Sequence, residues 1–176
     1  MEYKASLDQA AKIITGLISV LFLSIATWNV WLIYSGSDSI VQFAGNTIPI
    51  ILMFGIYAFC YLFRPVCYVV GKTGLTIKRP LKDYHLDLIK IKNVTMASDE
   101  SMKWTARIFG VGGLFGYFGK FSNQTFGSMT WFATQRKNYL VLETTNNRKI
   151  VLTPDNIEMA KELDTLIKKS DHKSRP

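Results

Sequence analysis

The two spacings in this sequence that come nearest to a nucleotide-binding motif are both incomplete. Gly71–Thr73 has the Gly-Lys-Thr ending of a phosphate-binding loop, but that motif needs a glycine where Val66 stands. The glycines within 113–119 recur at every third residue, and Phe115 occupies the place where the dinucleotide fingerprint requires a second glycine. The sequence therefore predicts no nucleotide site at either place.

Histidine and cysteine are few and scattered. His85 and His172 are not combined with cysteines or carboxylates at the spacing of a zinc site, and neither lies near an evident nucleophile. Cys60 and Cys67 do not make a disulfide framework and fit a reducing compartment, where we interpret them as small buried residues. Palmitoylation of Cys67 is the alternative in a eukaryote. We expect no catalytic residues, no metal and no cofactor, and a protein that is not an enzyme.

A glycine- and aromatic-rich stretch, residues 110–127, is the most distinctive part of the polar half of the chain. Glycines between aromatic residues permit tight bends and close backbone approach. In one interpretation the stretch is a pair of strands whose aromatic rings fill the core. In the other it is a loop that enters the membrane interface or a partner groove. The candidate partner-binding residues are Leu114, Phe115, Tyr117, Phe118 and Phe121.

A basic set follows the second apolar segment, where anionic headgroups would attract each nearby cation. The candidate headgroup-binding residues are Lys72, Lys78, Arg79 and Lys82, with Lys90 and Lys92 further along the chain. The alternative is a solvated basic face. Nucleic acid is not expected as a partner, because the patch is small and the domain is tethered.

Two apolar runs must position these residues. Residues 13–34 contain no charge over 22 residues, which is about 33 Å of helix and enough to cross a bilayer. A second apolar run occupies residues 48–63. The pattern predicts a two-helix transmembrane hairpin over residues 1–64, with spans at about 13–34 and 47–63. A signal peptide is disfavoured by the length of the first run and by the absence of an A-x-A site.

The charge distribution orients this hairpin. The net charge is +8, and residues 64–176 hold 19 Lys and Arg against 10 Asp and Glu. The loop at Asp38 has no Lys or Arg, whereas Lys12 and Arg64 flank the two spans. The positive-inside rule therefore predicts cytoplasmic N- and C-termini and an external Asp38 loop, in a multi-pass protein of a bacterial inner membrane.

After Pro65 the hydrophobic period changes to two, and turn residues separate short strands. Six to seven antiparallel strands are expected, with strand–turn–strand at residues 71–74. Thr153 is the expected N-cap of a final helix whose apolar face includes Met159 and Leu163. We predict an α+β membrane protein in which a bent antiparallel sheet or partial barrel, closed by a C-terminal helix, occupies residues 65–170. A polar tail at 171–176 follows.

Residues 112–155 resemble the bacterial PH-like (pleckstrin-homology-like) domain families, which are found behind one or two membrane spans. The resemblance rests on GGLFGYFGKF, the aromatic segment 131–134, the run from Arg136 to Leu142, and IVLTPD at 150–155. It covers roughly residues 66–168. It implies a seven-stranded bent sheet capped by a helix, and an interaction or oligomerisation module. Eukaryotic PH domains bind phosphoinositides through basic residues in their first hairpin, but here the corresponding turn contains only one basic residue, Lys72.

Three functions follow as hypotheses. The first is a membrane-anchored scaffold that holds a protein partner, or copies of itself, at the cytoplasmic face. The second is a sensor of anionic lipid. The third is an accessory subunit of a transport or envelope complex.

Overall fold

The computed structural model describes residues 1–35 and 40–173 of the 176-residue chain, so the predicted loop around Asp38 lies outside the described residues. A short strand, β1 (Glu2–Lys4), precedes two long helices, α1 (Gln9–Tyr34) and α2 (Ile40–Phe63). The remaining elements are β2 (Cys67–Val70), β3 (Gly74–Lys78), β4 (Tyr84–Asp87), β5 (Ile91–Ala97), α3 (Asp99–Met102), β6 (Ala106–Gly113), β7 (Gly116–Asn123), β8 (Gly127–Ala133), β9 (Tyr139–Thr144), β10 (Lys149–Leu152) and α4 (Glu158–Lys173).

Of the two N-terminal helices, α1 is long and apolar enough to span a membrane over Gln9–Leu32. The apolar part of α2 is shorter, Thr47–Phe63, so among the described residues one helix, not two, meets the length and composition of a membrane span. The two helices touch through the Ser19 and Tyr57 hydroxyls, which are 2.7 Å apart. The structure thus has the predicted apolar N-terminal helix, β-sheets and C-terminal helix.

The strands form two sheets rather than one bent antiparallel sheet. The first is β1-β2-β3-β4, antiparallel throughout, and the second is β5-β9-β10-β8-β7-β6. In the second sheet β10 lies between β9 and β8 and runs parallel to β8, with Val151 opposite Trp131. The prediction of six to seven antiparallel strands is therefore wrong: nine strands follow α2 within the described residues. Strand periodicity identifies a strand but not its neighbours, so the insertion of β10 between β8 and β9 left no local signal.

The main core lies between the sheets and α4. The inward face of α4 is buried, with Met159 and Leu163 each 0% exposed, as the helical spacing predicted. Tyr68 joins the two sheets: its hydroxyl donates to the Phe132 carbonyl at 2.6 Å and accepts from the Thr153 N–H at 3.2 Å. The core therefore holds a buried phenol whose hydrogen bonds are satisfied by the facing sheet.

Helix α4 begins later than predicted, at Glu158 rather than directly after Thr153. Thr153 is fully buried, and its hydroxyl accepts from the Thr134 N–H at 2.9 Å. Its hydroxyl therefore serves the neighbouring strand instead of a helix terminus. At its other end α4 continues to Lys173, three residues into the predicted tail.

The N-terminal residues are part of the β-domain rather than a lead into the membrane. β1 pairs antiparallel with β2, which places Tyr3 opposite Tyr68. The Tyr3 hydroxyl donates to the carboxylate of Glu162 in α4, and Asp155 donates its N–H to the Lys4 carbonyl at 3.0 Å. The predicted boundary at residue 64 thus separates β1 from the sheet to which it belongs.

Candidate functional site

The tip of the β6–β7 hairpin is wedged against the two apolar helices. Phe115 sits at this tip in the left-handed region, with φ of 58°. Its ring meets Tyr57 and Tyr61 of α2 edge to face, at centroid distances of 5.0 and 5.4 Å. Its backbone N–H donates to the Thr15 hydroxyl of α1 at 2.9 Å. One turn residue therefore contacts both helices.

Glycine is favoured at position 113, beside this tip, chiefly by its backbone conformation. A Cβ at Gly113 would lie 2.7 Å from the Ile14 side chain, and its φ is 132°. A larger residue there would have a strained backbone and would require the Ile14 side chain to shift. Gly113 therefore does serve close approach, but to a helix of the same chain.

Four of the five candidate partner-binding residues are buried, so the expectation of an exposed aromatic loop is corrected. Phe115 and Phe118 pack with Cys60 near the end of α2, together with half-buried Leu114. Tyr117 and Phe121 belong to a separate core cluster on the six-stranded sheet. Together these rings fill the junction and the core of their own chain, which is the first of the two interpretations above.

Asp8 ties the first turn of α1 to the β-domain. Its carboxylate accepts from the Ala11 N–H at 2.7 Å, the Arg136 N–H at 3.1 Å and the Tyr117 hydroxyl at 3.2 Å. Sequence reasoning missed this residue, although an aspartate just before an apolar helix is a recognised N-cap signal. The carboxylate that caps α1 is thus also hydrogen-bonded to residues more than 100 positions away.

The candidate headgroup-binding residues do not form one patch. Arg79 is half-buried, and its guanidinium lies 5.5 Å from the Phe63 ring and 5.8 Å from the Phe132 ring, where desolvation lowers its pKa. Lys78 is paired with Asp83 at 2.5 Å, which raises the lysine pKa. Both cations therefore already have interaction partners within the chain, near the end of α2.

Lys72 and Lys82, the other two candidates, lie at opposite ends of the first sheet. Lys72 is exposed in the turn that joins β2 to β3, which is confirmed as strand–turn–strand. Lys82 is exposed in the β3–β4 turn, where its neighbour Leu81 donates its N–H to the Leu62 carbonyl of α2 at 3.1 Å. Because β3 spans five residues, roughly 16 Å of strand separates the two turns.

Neither His85 nor the two cysteines form a recognisable catalytic arrangement in the described residues. Exposed His85 lies 2.9 Å from the Thr76 hydroxyl and 3.3 Å from Asp87, and Cys60 and Cys67 are free thiols. Burial raises the pKa of Cys67 to about 11. Over residues 1–35 and 40–173, no cluster of three His, Cys, Asp or Glu side chains is placed to hold a metal ion.

The architecture is that of an α+β domain, with two sheets closed by a C-terminal helix and packed against apolar helices. Residues 66–166 match the model of the bacterial PH domain family, which is more than half of the chain. The protein therefore belongs to the bacterial PH domain family, as the resemblance of residues 112–155 implied. No curated protein and no solved structure matches the chain.

Replacing Phe115 by alanine should loosen the junction between the hairpin and the helices. The change removes both ring contacts to α2 and leaves a cavity, which for a buried phenylalanine costs about 3–5 kcal/mol. Trp104→Ala is the control, because it truncates an aromatic side chain that is 84% exposed. Thermal unfolding of the full chain in mild detergent measures the effect; equal Tm values for the two variants would contradict the wedge.

Proposed function

We propose that the protein is a membrane-anchored PH-like interaction module at the cytoplasmic face of a bacterial inner membrane. The observation that carries the proposal is the pairing of β1 with β2. β1 precedes α1 and β2 follows α2, so the chain leaves one sheet before the helices and returns to the same sheet after them. If α1 crosses the bilayer, the chain has to cross back before β2.

The surface of the helices supports their insertion in lipid. Apolar side chains on both are largely exposed, including Leu17 at 67% and Val20 at 63% in α1, and Ile51 at 64% and Ile56 at 63% in α2. An apolar surface of this extent is stable in a bilayer but not in water. The apolar segment Thr47–Phe63 has 17 residues, which as a helix are about 26 Å long. This length is at the lower limit for a membrane span.

The cationic residues favour a cytoplasmic β-domain. Lys12 and Arg64 lie at those ends of α1 and α2 that adjoin the β-domain. The Arg64 guanidinium lies 4.5 Å from the Tyr61 ring, so this charge is positioned at the inner boundary of α2. The positive-inside rule assigns that side to the cytoplasm.

Labelling of single cysteines tests this topology. In a chain whose Cys60 and Cys67 are replaced by alanine, Ser35→Cys reports on the far end of α1 and Lys72→Cys reports on the β-domain; both positions are exposed. A membrane-impermeant maleimide should label Ser35→Cys in intact cells and Lys72→Cys only after lysis. Labelling of both only after lysis would exclude a hairpin that crosses the membrane, and the reverse pattern would exclude a cytoplasmic domain.

Strand β6 offers the surface for a protein partner. It is an edge of the six-stranded sheet, and its residues 106–110 are all exposed, including Ile108 at 62% and Phe109 at 76%. A bulge interrupts its register with β7 between Arg107 and Phe109, which limits continuous strand addition. The partner surface is therefore the pair of apolar side chains, in place of the buried rings of the hairpin tip.

Charge substitution at this surface should release the partner. We expect the double variant Ile108→Lys/Phe109→Lys, purified in mild detergent, to lose at least tenfold of any stoichiometric protein or second copy that the natural chain retains. Ile89→Lys is the control, because Ile89 is 71% exposed on a different element. Mass measurement of the complex separates a foreign partner from a homo-oligomer. The proposal would be contradicted if the double variant kept its complex unaltered. It would also be contradicted if the natural chain itself were a monomer without partners.

Recognition of anionic lipid is the second candidate, and the β3–β4 turn favours it. Leu81 is 57% exposed beside the inner end of α2, and exposed Lys82 follows it. The Arg79 Nε–H donates to the Lys82 carbonyl at 2.7 Å, so the turn is held in place. An apolar residue and a cation at this level would enter the headgroup region together.

Lys82 and Lys72 form a matched pair for testing this second candidate. Native mass spectrometry of the full chain should show about fivefold less retained phosphatidylglycerol for Lys82→Ala, because a cation at the surface contributes about 1 kcal/mol. Lys72→Ala, with its exposed lysine in the distant β2–β3 turn, should retain the natural amount. Equal losses for the two variants would indicate general charge attraction rather than a site at the turn.

A further inference from the structure

Arg107 lies along the edge strand β6 with its guanidinium over Gly112. A Cβ at Gly112 would lie 3.1 Å from Nη1, 3.5 Å from Cδ and 3.6 Å from Cζ of Arg107, and these would be its three nearest heavy atoms. The arginine side chain therefore extends toward the tip of the hairpin and away from the surface formed by Ile108 and Phe109. A cation occupies the space that a side chain at position 112 would fill.

This guanidinium adjoins the place where α1 begins its uncharged run. Gly113 follows directly, and a Cβ there would lie 2.7 Å from the Ile14 side chain. At the tip itself, the Phe115 N–H donates to the Thr15 hydroxyl. Both contacted residues of α1 belong to the first turn of the uncharged segment 13–34. If α1 spans the bilayer, as proposed above, this end of β6 lies where the lipid headgroups meet the hydrocarbon.

A second guanidinium borders the same place from the neighbouring strand. Gly112 is paired with Tyr117 of β7, and the side-chain positions of such a pair are about 5 Å apart on one face of the sheet. The Arg136 guanidinium lies 4.8 Å from the Tyr117 ring. Two arginines therefore flank one cross-strand pair, at the end of the hairpin that adjoins α1.

Both arginines are available to an anionic ligand. They are exposed, and in the described part of the chain no ion pair with a carboxylate includes Arg107 or Arg136. The nearby carboxylate of Asp8 already accepts from the backbone N–H groups of Ala11 and Arg136 and from the Tyr117 hydroxyl. A guanidinium presents a planar fork of donors that matches two oxygens of a phosphate. A phosphate group is therefore the ligand that suits this pair.

We propose that Arg107 and Arg136 bind the phosphate of an anionic phospholipid in the leaflet that faces the β-domain, beside α1. Gly112 is the positioning residue, because its missing side chain lets the Arg107 guanidinium lie at this level. The site is distinct from the β3–β4 turn, which adjoins α2. The inference rests on the proposed insertion of the helices. Its failure is distinguishable, because labelling of Ser35→Cys and Lys72→Cys reports the topology whether or not lipid is retained.

Native mass spectrometry of the full chain with added phosphatidylglycerol tests the site. Arg107→Gln and Arg136→Gln should each lower the retained lipid about fivefold, because each removes one cation at the level of the headgroups. Lys120→Gln is the control and should retain the natural amount. Lys120 is an exposed cation of the same hairpin, but it lies four residues beyond Gly116, about 13 Å further from the tip along β7.

Gly112→Val separates the position of the cation from its charge. The φ of Gly112 is not in the left-handed region, so valine is compatible with the strand, and the first atoms that its side chain meets are those of Arg107. The guanidinium then has to move while the net charge stays the same. Gly112→Val should lower the retained lipid about fivefold, and the double variant Gly112→Val/Arg107→Gln should lose no more than Arg107→Gln alone.

Glycerol 3-phosphate distinguishes a membrane lipid from a soluble phosphate compound. At millimolar concentration it should leave the retained phosphatidylglycerol unchanged, because the acyl chains hold the lipid phosphate beside α1. Displacement of the lipid by glycerol 3-phosphate would assign the two arginines to a soluble phosphate compound and would overturn the proposal.

Three further results would also overturn the proposal. The first is natural retention of phosphatidylglycerol by Arg107→Gln. The second is an equal loss for Lys120→Gln, which would indicate general charge attraction. The third is an additive loss in the double variant, which would show that Gly112 does not act through Arg107. If Gly112→Val does not fold, the variants at the exposed positions of Arg107 and Lys120 still decide the result.

Discussion

The pairing of β1 with β2 is the constraint on which the rest of the molecule depends. It joins residues before α1 to residues after α2, and so closes a loop of about 62 residues at an entropic cost of about 4 kcal/mol plus a constant. Two further contacts of the N-terminal segment offset this cost, from Tyr3 to Glu162 and from Ser6 to Asp155. The antiparallel helices shorten the span that the loop must bridge, so helix packing and strand pairing stabilise each other.

The β6–β7 hairpin converts that closed chain into a single packed unit. A domain held only by its covalent connections to two helices could turn relative to them, but Phe115 contacts both α1 and α2. Its positive φ is a local strain that surrounding contacts have to hold in place. The choice between a buried and an exposed hairpin was open in the sequence, because glycines and aromatic rings suit both; the position of the helices decided it.

Sequence reasoning located most elements but not their neighbours. Hydrophobic period located the strands that alternate after Pro65 and the buried face of α4, because burial on one side imposes that period directly. It left residues 110–127 open between a strand pair and a loop. β1 has three residues, too few for any period, and the parallel β8–β10 pair depends on contacts between distant segments. Thr153 has the residue type of an N-cap, but its hydroxyl accepts a hydrogen bond from the Thr134 N–H instead.

Two residues connect the six-stranded sheet to α1. Tyr117 of β7 donates its hydroxyl to Asp8, the cap of α1, and Arg136, in the loop after β8, donates its backbone N–H to the same carboxylate. A displacement of the first turn of α1 therefore changes the hydrogen bonds of both residues. Because such coupling is reciprocal, a change at Tyr117 or Arg136 in turn alters how firmly the first turn of α1 is held.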